Sequence, residues 1–98
     1  MKAYSLSKEL TKIIDLFLED SIQEFEIKLN VVFSKEELNE LIGKYDSNSG
    51  IVENGITIDE YVYDISKNVL KKIIIEYVKI NEENIVVLDI EGFTDFIS

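Results

Sequence analysis

The run between residues 25 and 33 alternates apolar and mostly charged side chains, and this period of two constrains the fold more than any other stretch of the chain. Its apolar positions are Phe25, Ile27, Leu29, Val31 and Phe33. Successive side chains of a strand point to opposite faces, so one face of this strand is apolar and the other is charged. The pattern therefore predicts a strand over residues 22–33, in a sheet that meets water on one side.

Helical spacing predicts two short helices on either side of this strand. Over residues 6–19, apolar side chains recur at helix spacing with charged side chains between them. A second helix is expected over residues 35–44, because Ser34 and Glu37 have the spacing of a capping box. Gly43 and the polar residues after it are expected to end this helix.

The second half of the chain can be assigned in two ways. Thr57 and Glu60 repeat the capping-box spacing, and apolar residues at helical spacing favour one long helix over residues 57–80. Ile75, however, falls on the polar side of that helix, and the run 73–80 is rich in β-branched residues. The alternative ends this helix near Lys72 and makes 73–80 a strand that enters a hairpin turn over residues 81–84.

The favoured assignment is a small α+β protein. Residues 85–90 read as a second, mostly buried strand. A chain of 98 residues, 46% of them hydrophobic, can bury one modest core. We therefore expect residues 1–98 to form a single domain, with about three helices packed on a small sheet that includes strands near 22–33 and 85–90.

The residue types that are missing restrict the chemistry. The sequence has no cysteine and no histidine, so it lacks thiol nucleophiles, disulfides and the commonest acid–base and zinc-binding side chain. Asp46 begins a segment that is similar to the start of an EF-hand loop, but Ile51 and Thr57 stand where a calcium loop needs Gly and Glu. We therefore expect no enzyme activity, no metal site and no cofactor.

The formal net charge is −10, and the acidic residues are clustered. A field of this sign repels nucleic acids and anionic membranes and attracts basic proteins. Glu36 and Glu40, and likewise Glu60 and Asp64, are like-charged residues four apart, a spacing that weakens a helix unless something offsets it. The candidate partner-binding residues are Glu36, Glu37, Glu40, Asp46, Glu53, Asp59, Glu60, Tyr61 and Asp64.

Simpler interpretations stand beside this one. An acidic surface keeps a protein soluble without any partner. Tyr61 is a candidate anchor because tyrosine is common at interface hot spots, but it also has the position of a structural contact with Ile56.

Acidity, small size and the lack of catalytic residue types together predict a small protein-binding inhibitor. We expect it to block a basic, nucleic-acid-processing target such as a nuclease. It would act as a nucleic-acid mimic or as an anti-defence or immunity-type protein, encoded by a phage or another mobile element. With no signal-like N terminus and no long apolar run, the expected location is the cytoplasm, without direct contact to nucleic acid or membrane. The alternative is a non-inhibitory assembly subunit that self-associates, for example as a homodimer through Ile75.

Overall fold

The computed structural model describes the backbone of residues 3–97 and the side chains of residues 6–97. The helices in this range are α1 (Ala3–Leu18) and α2 (Lys35–Ile42), and the strands are β1 (Glu24–Ser34), β2 (Ser47–Glu53), β3 (Ile56–Ser66), β4 (Val69–Lys79) and β5 (Asn84–Phe96). All of the strands join one antiparallel sheet in the order β1-β5-β4-β3-β2. Neither helix has the length and apolarity that a membrane span requires.

The first half of the chain follows the sequence analysis. Strand β1 and helices α1 and α2 lie where the periodicity predicts them. The capping box is confirmed, because Ser34 Oγ accepts a hydrogen bond from the Glu37 backbone N at 3.0 Å and the Ser34 backbone N donates to Glu37 Oε1 at 3.0 Å. These bonds satisfy N–H groups at the N-terminal end of α2 that have no partner inside the helix.

The second half is not helical, and the prediction of about three helices on a small sheet is wrong. The segment that was expected to form a helix over residues 57–80 forms strands β3 and β4 instead. Thr57 and Glu60 cap nothing, because they lie within β3 and pair with Tyr77 and Ile74 of β4. The alternative assignment of 73–80 as a strand is correct up to Lys79, where β4 ends.

Alternating burial explains why the strands form. Ile73, Ile75 and Tyr77 are buried on one side of β4, whereas Ile74 and Glu76 are half-buried on the other side. A helix would place Ile75 among polar residues, but a strand places it in the core with Ile73. Ile75 is fully buried, so the predicted homodimer contact through this residue is wrong.

Both helices pack on the same face of the sheet, called here the covered face. Tyr63 ties β3 to the end of α2, since its hydroxyl donates to the Ile42 carbonyl at 2.6 Å. The Phe17 and Phe25 rings meet edge to face at 5.2 Å over Gly92, where any Cβ would overlap the Phe25 ring. The strand residues buried on the covered face are Phe33, Thr57, Tyr61, Tyr63, Lys71, Ile73, Ile75, Tyr77, Ile85, Val87, Ile90 and Gly92.

The covered face also encloses a buried cation. Lys71 Nζ lies 2.6 Å from Asp20 Oδ1 and donates to Thr94 Oγ1 at 2.6 Å and to the Ile22 carbonyl at 3.3 Å. It also lies 4.7 Å from the centre of the Phe17 ring. The hydrogen bond from Lys71 lowers the pKa of the Asp20 carboxyl. These contacts fasten the connection between α1 and β1 to the middle of the sheet.

Within residues 3–97, no helix packs on the second face of the sheet, which is called here the open face. The register assigns its residues, because side chains of paired residues point to the same side. They are Glu24, Glu26, Lys28 and Val32 of β1; Ser47, Ser49, Ile51 and Glu53 of β2; Ile56, Ile58, Glu60, Val62 and Asp64 of β3; Leu70, Lys72, Ile74, Glu76 and Val78 of β4; and Val86, Asp89, Glu91, Phe93 and Asp95 of β5.

Candidate functional site

Strand pairing arranges the open face in rows that run across the sheet. One row joins Glu26, Glu91, Ile74, Glu60 and Ser49, each residue directly opposite the next. Acidic side chains therefore occupy β1, β5 and β3 in the same row, and Ile74 of β4 separates Glu91 from Glu60.

The neighbouring row is divided more sharply. It joins Lys28, Asp89, Glu76, Ile58 and Ile51. Its apolar end lies on β3 and β2, and its charged end lies on β1, β5 and β4. The part of the open face formed by β1, β5 and β4 is called here the charged half.

The charged half contains what we call the carboxylate cluster, formed by Glu26, Glu76, Asp89 and Glu91. Glu26 is paired directly with Glu91, and Asp89 is paired directly with Glu76. Carboxylate oxygens of Glu26, Asp89 and Glu91 all lie within 4.8 Å of one another. Because like charges directly opposite each other destabilise a sheet, this arrangement costs stability unless a cation or a proton compensates it.

Asp89 is the most unusual member of the cluster. Its residue is only 7% exposed, and its Oδ1 atom is buried without a hydrogen-bond partner. Burial raises the pKa of Asp89 to about 6, and the charges of Glu26, Glu91 and Glu76 act in the same direction while Lys28 opposes them. A proton is thus held on this carboxyl at a higher pH than on an ordinary aspartate.

Lys28 is the cation nearest to the cluster along its row, and it compensates little of this charge. Its Nζ lies 3.6 Å from Glu26 Oε2, and its side chain is 80% exposed. An ion pair as exposed as this one contributes at most about 1 kcal/mol, because water screens it. The cluster therefore keeps a net negative charge.

Acidic residues extend over the rest of the open face. Lys72 Nζ lies 3.5 Å from Asp95 Oδ2. Among the described residues, the lysines on this face are Lys28 and Lys72. Half-buried apolar side chains are interleaved with the acids. The carboxylates outside the cluster are Glu24, Glu53, Glu60, Asp64 and Asp95.

The structure divides the predicted partner-binding residues between surfaces. Glu53, Glu60 and Asp64 lie on the open face. Glu36 and Glu40 lie on α2, which packs on the covered face, and both are exposed. The predicted set therefore does not form one continuous patch.

The remaining predicted residues make contacts within the chain. Glu37 belongs to the capping box, and Asp46 Oδ2 accepts a hydrogen bond from the Asp64 backbone N at 2.6 Å. Asp59 Oδ2 accepts from the Tyr77 hydroxyl at 2.9 Å and from the Tyr61 hydroxyl at 3.4 Å.

Tyr61 is buried rather than displayed on a surface. Only 7% of the residue is exposed, and its ring lies 5.0 Å from that of Tyr45. Burial, strengthened by the Asp59 charge, raises the pKa of the Tyr61 hydroxyl. This environment fits the structural interpretation of Tyr61, although the contact is made with Tyr45.

The carboxylate cluster has no local signature in the sequence. Its members come from β1, β4 and β5, and no short spacing links Glu26 to Asp89 or Glu91. The available signal was the alternation of Glu24, Glu26 and Lys28, which marked a charged face. The pairing of β1 with β5, which builds the cluster, cannot be read from that pattern.

Comparison with known proteins finds similar chains in viruses of archaea. Protein ORF99 of Acidianus filamentous virus 1 (isolate United States/Yellowstone), described as uncharacterized, is 48% identical over 97 residues, which cover 99% of this chain and 98% of the viral protein. A solved structure described as the thermo- and acido-stable ORF-99 from the archaeal virus AFV1 superposes with a TM-score of 0.92 at 47% identity, covering 99% of both chains.

A second solved structure, ORF14 from Sulfolobus islandicus filamentous virus, superposes with a TM-score of 0.83 at 29% identity and covers 97% of this chain and 89% of that one. The profile of a protein family, described as protein of unknown function (DUF1374), matches residues 7–95. The chain therefore belongs to the DUF1374 family.

Proposed function

We propose that this protein is a virus-encoded acidic inhibitor, which binds a basic, nucleic-acid-processing protein of an archaeal host through its open face. The observation that carries the proposal is the composition of that face, where carboxylates from every strand outnumber Lys28 and Lys72 and no helix of the described residues covers them. Such a face attracts a surface that evolved to hold phosphates.

The mixture of apolar and acidic side chains on the open face supports binding to a protein. Ile58, Val62, Ile74 and Phe93 are half-buried between the acidic side chains. Protein interfaces combine apolar contacts with a charged rim in this way. A surface that served only for solubility would not need large apolar residues among its charges.

The relatives give the proposal its biological setting. They come from filamentous viruses of archaea. A viral protein of this size, without cysteine or histidine, can affect its host most simply by occupying a host protein. Binding inside the infected cell, in the cytoplasm, follows from the same proposal.

The experiment compares matched charge reversals on opposite sides of the sheet. Tagged full-length protein is incubated with extract of an archaeal host, captured proteins are identified, and each is purified for measurement of affinity and of its nucleic-acid-processing activity. Glu60→Lys with Asp64→Lys changes the open face, and Glu36→Lys with Glu40→Lys makes the same change in charge on α2. We expect the first pair to weaken binding at least about tenfold and the second pair to leave it unchanged.

Activity and salt complete the test. Addition of the protein in equimolar amount should suppress the partner's activity, and binding should weaken as salt rises from about 50 mM to about 500 mM. A partner that is released only by the α2 reversals would contradict the assignment to the open face. A partner whose activity is untouched would contradict the inhibitory role.

An assembly subunit that self-associates remains the second candidate, because of one edge of the sheet. Among the described strands, β2 pairs with β3 alone. Every residue of β2 is exposed, and Ile51 and Val52 are 60% and 71% exposed. An edge strand without lysine or proline is a template for pairing with another strand. Light scattering would show a dimer that Val52→Lys converts to a monomer, whereas a monomeric parent protein would exclude this candidate.

A further inference from the structure

We propose that Glu26, Asp89 and Glu91 form a calcium-binding site on the β1–β5 half of the open face. The site goes beyond inhibitor binding and does not depend on it. It also departs from the expectation of no metal site, which rested on missing His and Cys residues and on the spacing of a contiguous loop. Here the ligands come from two strands that are distant in sequence.

The geometry suits a calcium ion. The three carboxylates each offer an oxygen, and these oxygens lie within 4.8 Å of one another. Calcium binds oxygen ligands at about 2.3–2.6 Å, so ligands on opposite sides of the ion are separated by up to about 5 Å. Magnesium requires a stricter octahedron and gives up its water reluctantly, so a shallow site formed by three carboxylates favours calcium.

The buried oxygen of Asp89 is the second, independent observation. Asp89 is 7% exposed, its Oδ1 atom has no hydrogen-bond partner among the described residues, and a carboxylate oxygen of the same side chain lies within 4.8 Å of the Glu26 and Glu91 oxygens. A buried polar atom without a partner is uncommon and costly, so such an atom needs an explanation. A cation held between Asp89, Glu26 and Glu91 supplies the missing partner.

The surrounding groups make the site open and adjustable. Glu76 is paired with Asp89 and adds a negative charge beside the site. Lys28 is the competing cation, but its side chain is 80% exposed and can turn away from Glu26 into water. Calcium accepts variable ligand numbers and retains water molecules, so an open position above the sheet suits it.

The test is a calorimetric titration of the full-length protein with calcium chloride. The protein is first freed of metal with EDTA and dialysed into about 150 mM KCl at pH 7.5, which suppresses general collection of cations by exposed charges. We expect one calcium ion per chain with a Kd below about 1 mM. In NMR spectra, the amides of residues 26, 89 and 91 should shift together during the titration.

Variants locate the ion. Asp89→Asn and Glu91→Gln should each weaken calcium binding by at least about tenfold, because each removes a charged ligand. Glu36→Gln with Glu40→Gln removes two carboxylates from α2 and should leave binding unchanged. Circular dichroism confirms that each variant is folded.

Two results would overturn the site: no saturable binding up to about 10 mM calcium, well beyond the range of weak extracellular calcium modules, or equal loss of binding in the α2 variant. The calcium titration does not depend on partner capture. If calcium does not bind, the proposed inhibitory function is unaffected, and if no partner is inhibited, the proposed calcium site is unaffected.

Discussion

Lys71 and Asp89 are buried charges on adjacent strands, but they lie on opposite faces of the sheet and have opposite surroundings. Lys71 is fully buried on the covered face and has Asp20, Thr94 and the Ile22 carbonyl as partners. Asp89 is 7% exposed on the open face, and its Oδ1 atom has no hydrogen-bond partner.

The difference follows from what covers each face. On the covered face, helices exclude water, so a charge must be compensated by the chain itself or it prevents folding. On the open face, a charge can be compensated from outside by a proton, a metal ion or a partner. Under the proposals made above, the uncompensated charge lies where such a group would bind.

The largest expected effect comes from removing the compensated charge. Lys71→Ala should lower the free energy of unfolding by about 2–4 kcal/mol, because it leaves a cavity and removes the link to the α1–β1 connection. Lys72→Ala, one position along β4 but on the open face, should cost less than about 1 kcal/mol. Urea denaturation measures both, and equal losses would contradict the distinction between the faces.

Removing the uncompensated charge should raise the free energy of unfolding instead of lowering it. Asp89→Asn should raise the free energy of unfolding by about 2–3 kcal/mol at pH 8 in the presence of EDTA, since the pKa of Asp89 is raised from 3.8 to about 6 and each pKa unit corresponds to about 1.4 kcal/mol. The amide also brings donors that can bond to the neighbouring carboxylates. A loss of stability in this variant would show that the Asp89 charge is satisfied in a way the structure does not reveal.

Asp89 also gives the protein an unusual dependence of stability on pH. Its pKa is raised from 3.8 to about 6 in the folded state, so its contribution to stability is fully present below pH 3.8 and is lost as pH rises through about 6. The slope for one proton is at most about 1.4 kcal/mol per pH unit. The difference between metal-free parent and Asp89→Asn unfolding curves isolates this term. A difference that stays constant between pH 4 and 7 would contradict it.

The smallest effect concerns like charges in direct opposition. Glu26→Gln should stabilise the sheet by about 0.5 kcal/mol and lower the pKa of Asp89 measured by NMR, because Glu26 faces Glu91 and raises that pKa. Glu36→Gln on α2 is the control and should change neither quantity. If the two variants behave alike, the cluster is more strongly screened by water than its geometry implies.

Local sequence patterns were sufficient to predict the elements that depend on contacts between residues close in sequence. The capping box at Ser34 and Glu37 depends on atoms three residues apart, and the alternation in β1 depends only on its own residues. The same spacing at Thr57 and Glu60 misled, because a capping box shows that a helix could begin there, and not that it does. Pairing with β4 stabilises a strand there, and this pairing is a tertiary effect that outweighs propensity.

The candidate site was harder to predict than the fold for the same reason. Glu60 and Asp64 were selected from a helical spacing, yet they share the open face because strand residues two or four apart point to one side. Asp89 and Glu26 become neighbours only through the register of β1 with β5. No pattern within either segment specifies that register.

The pairing of β1 with β5 also has a consequence for the order of folding. Strands β2 to β5 are joined by successive hairpins, whereas Glu24 pairs with Phe93 near the other end of the described chain. Hairpins form within about 1–10 μs, but closing a long loop carries an entropy cost that grows with its length. We therefore expect Glu26 to join the carboxylate cluster after the rate-limiting barrier, so that Glu26→Gln slows unfolding in stopped-flow experiments and leaves the refolding rate nearly unchanged.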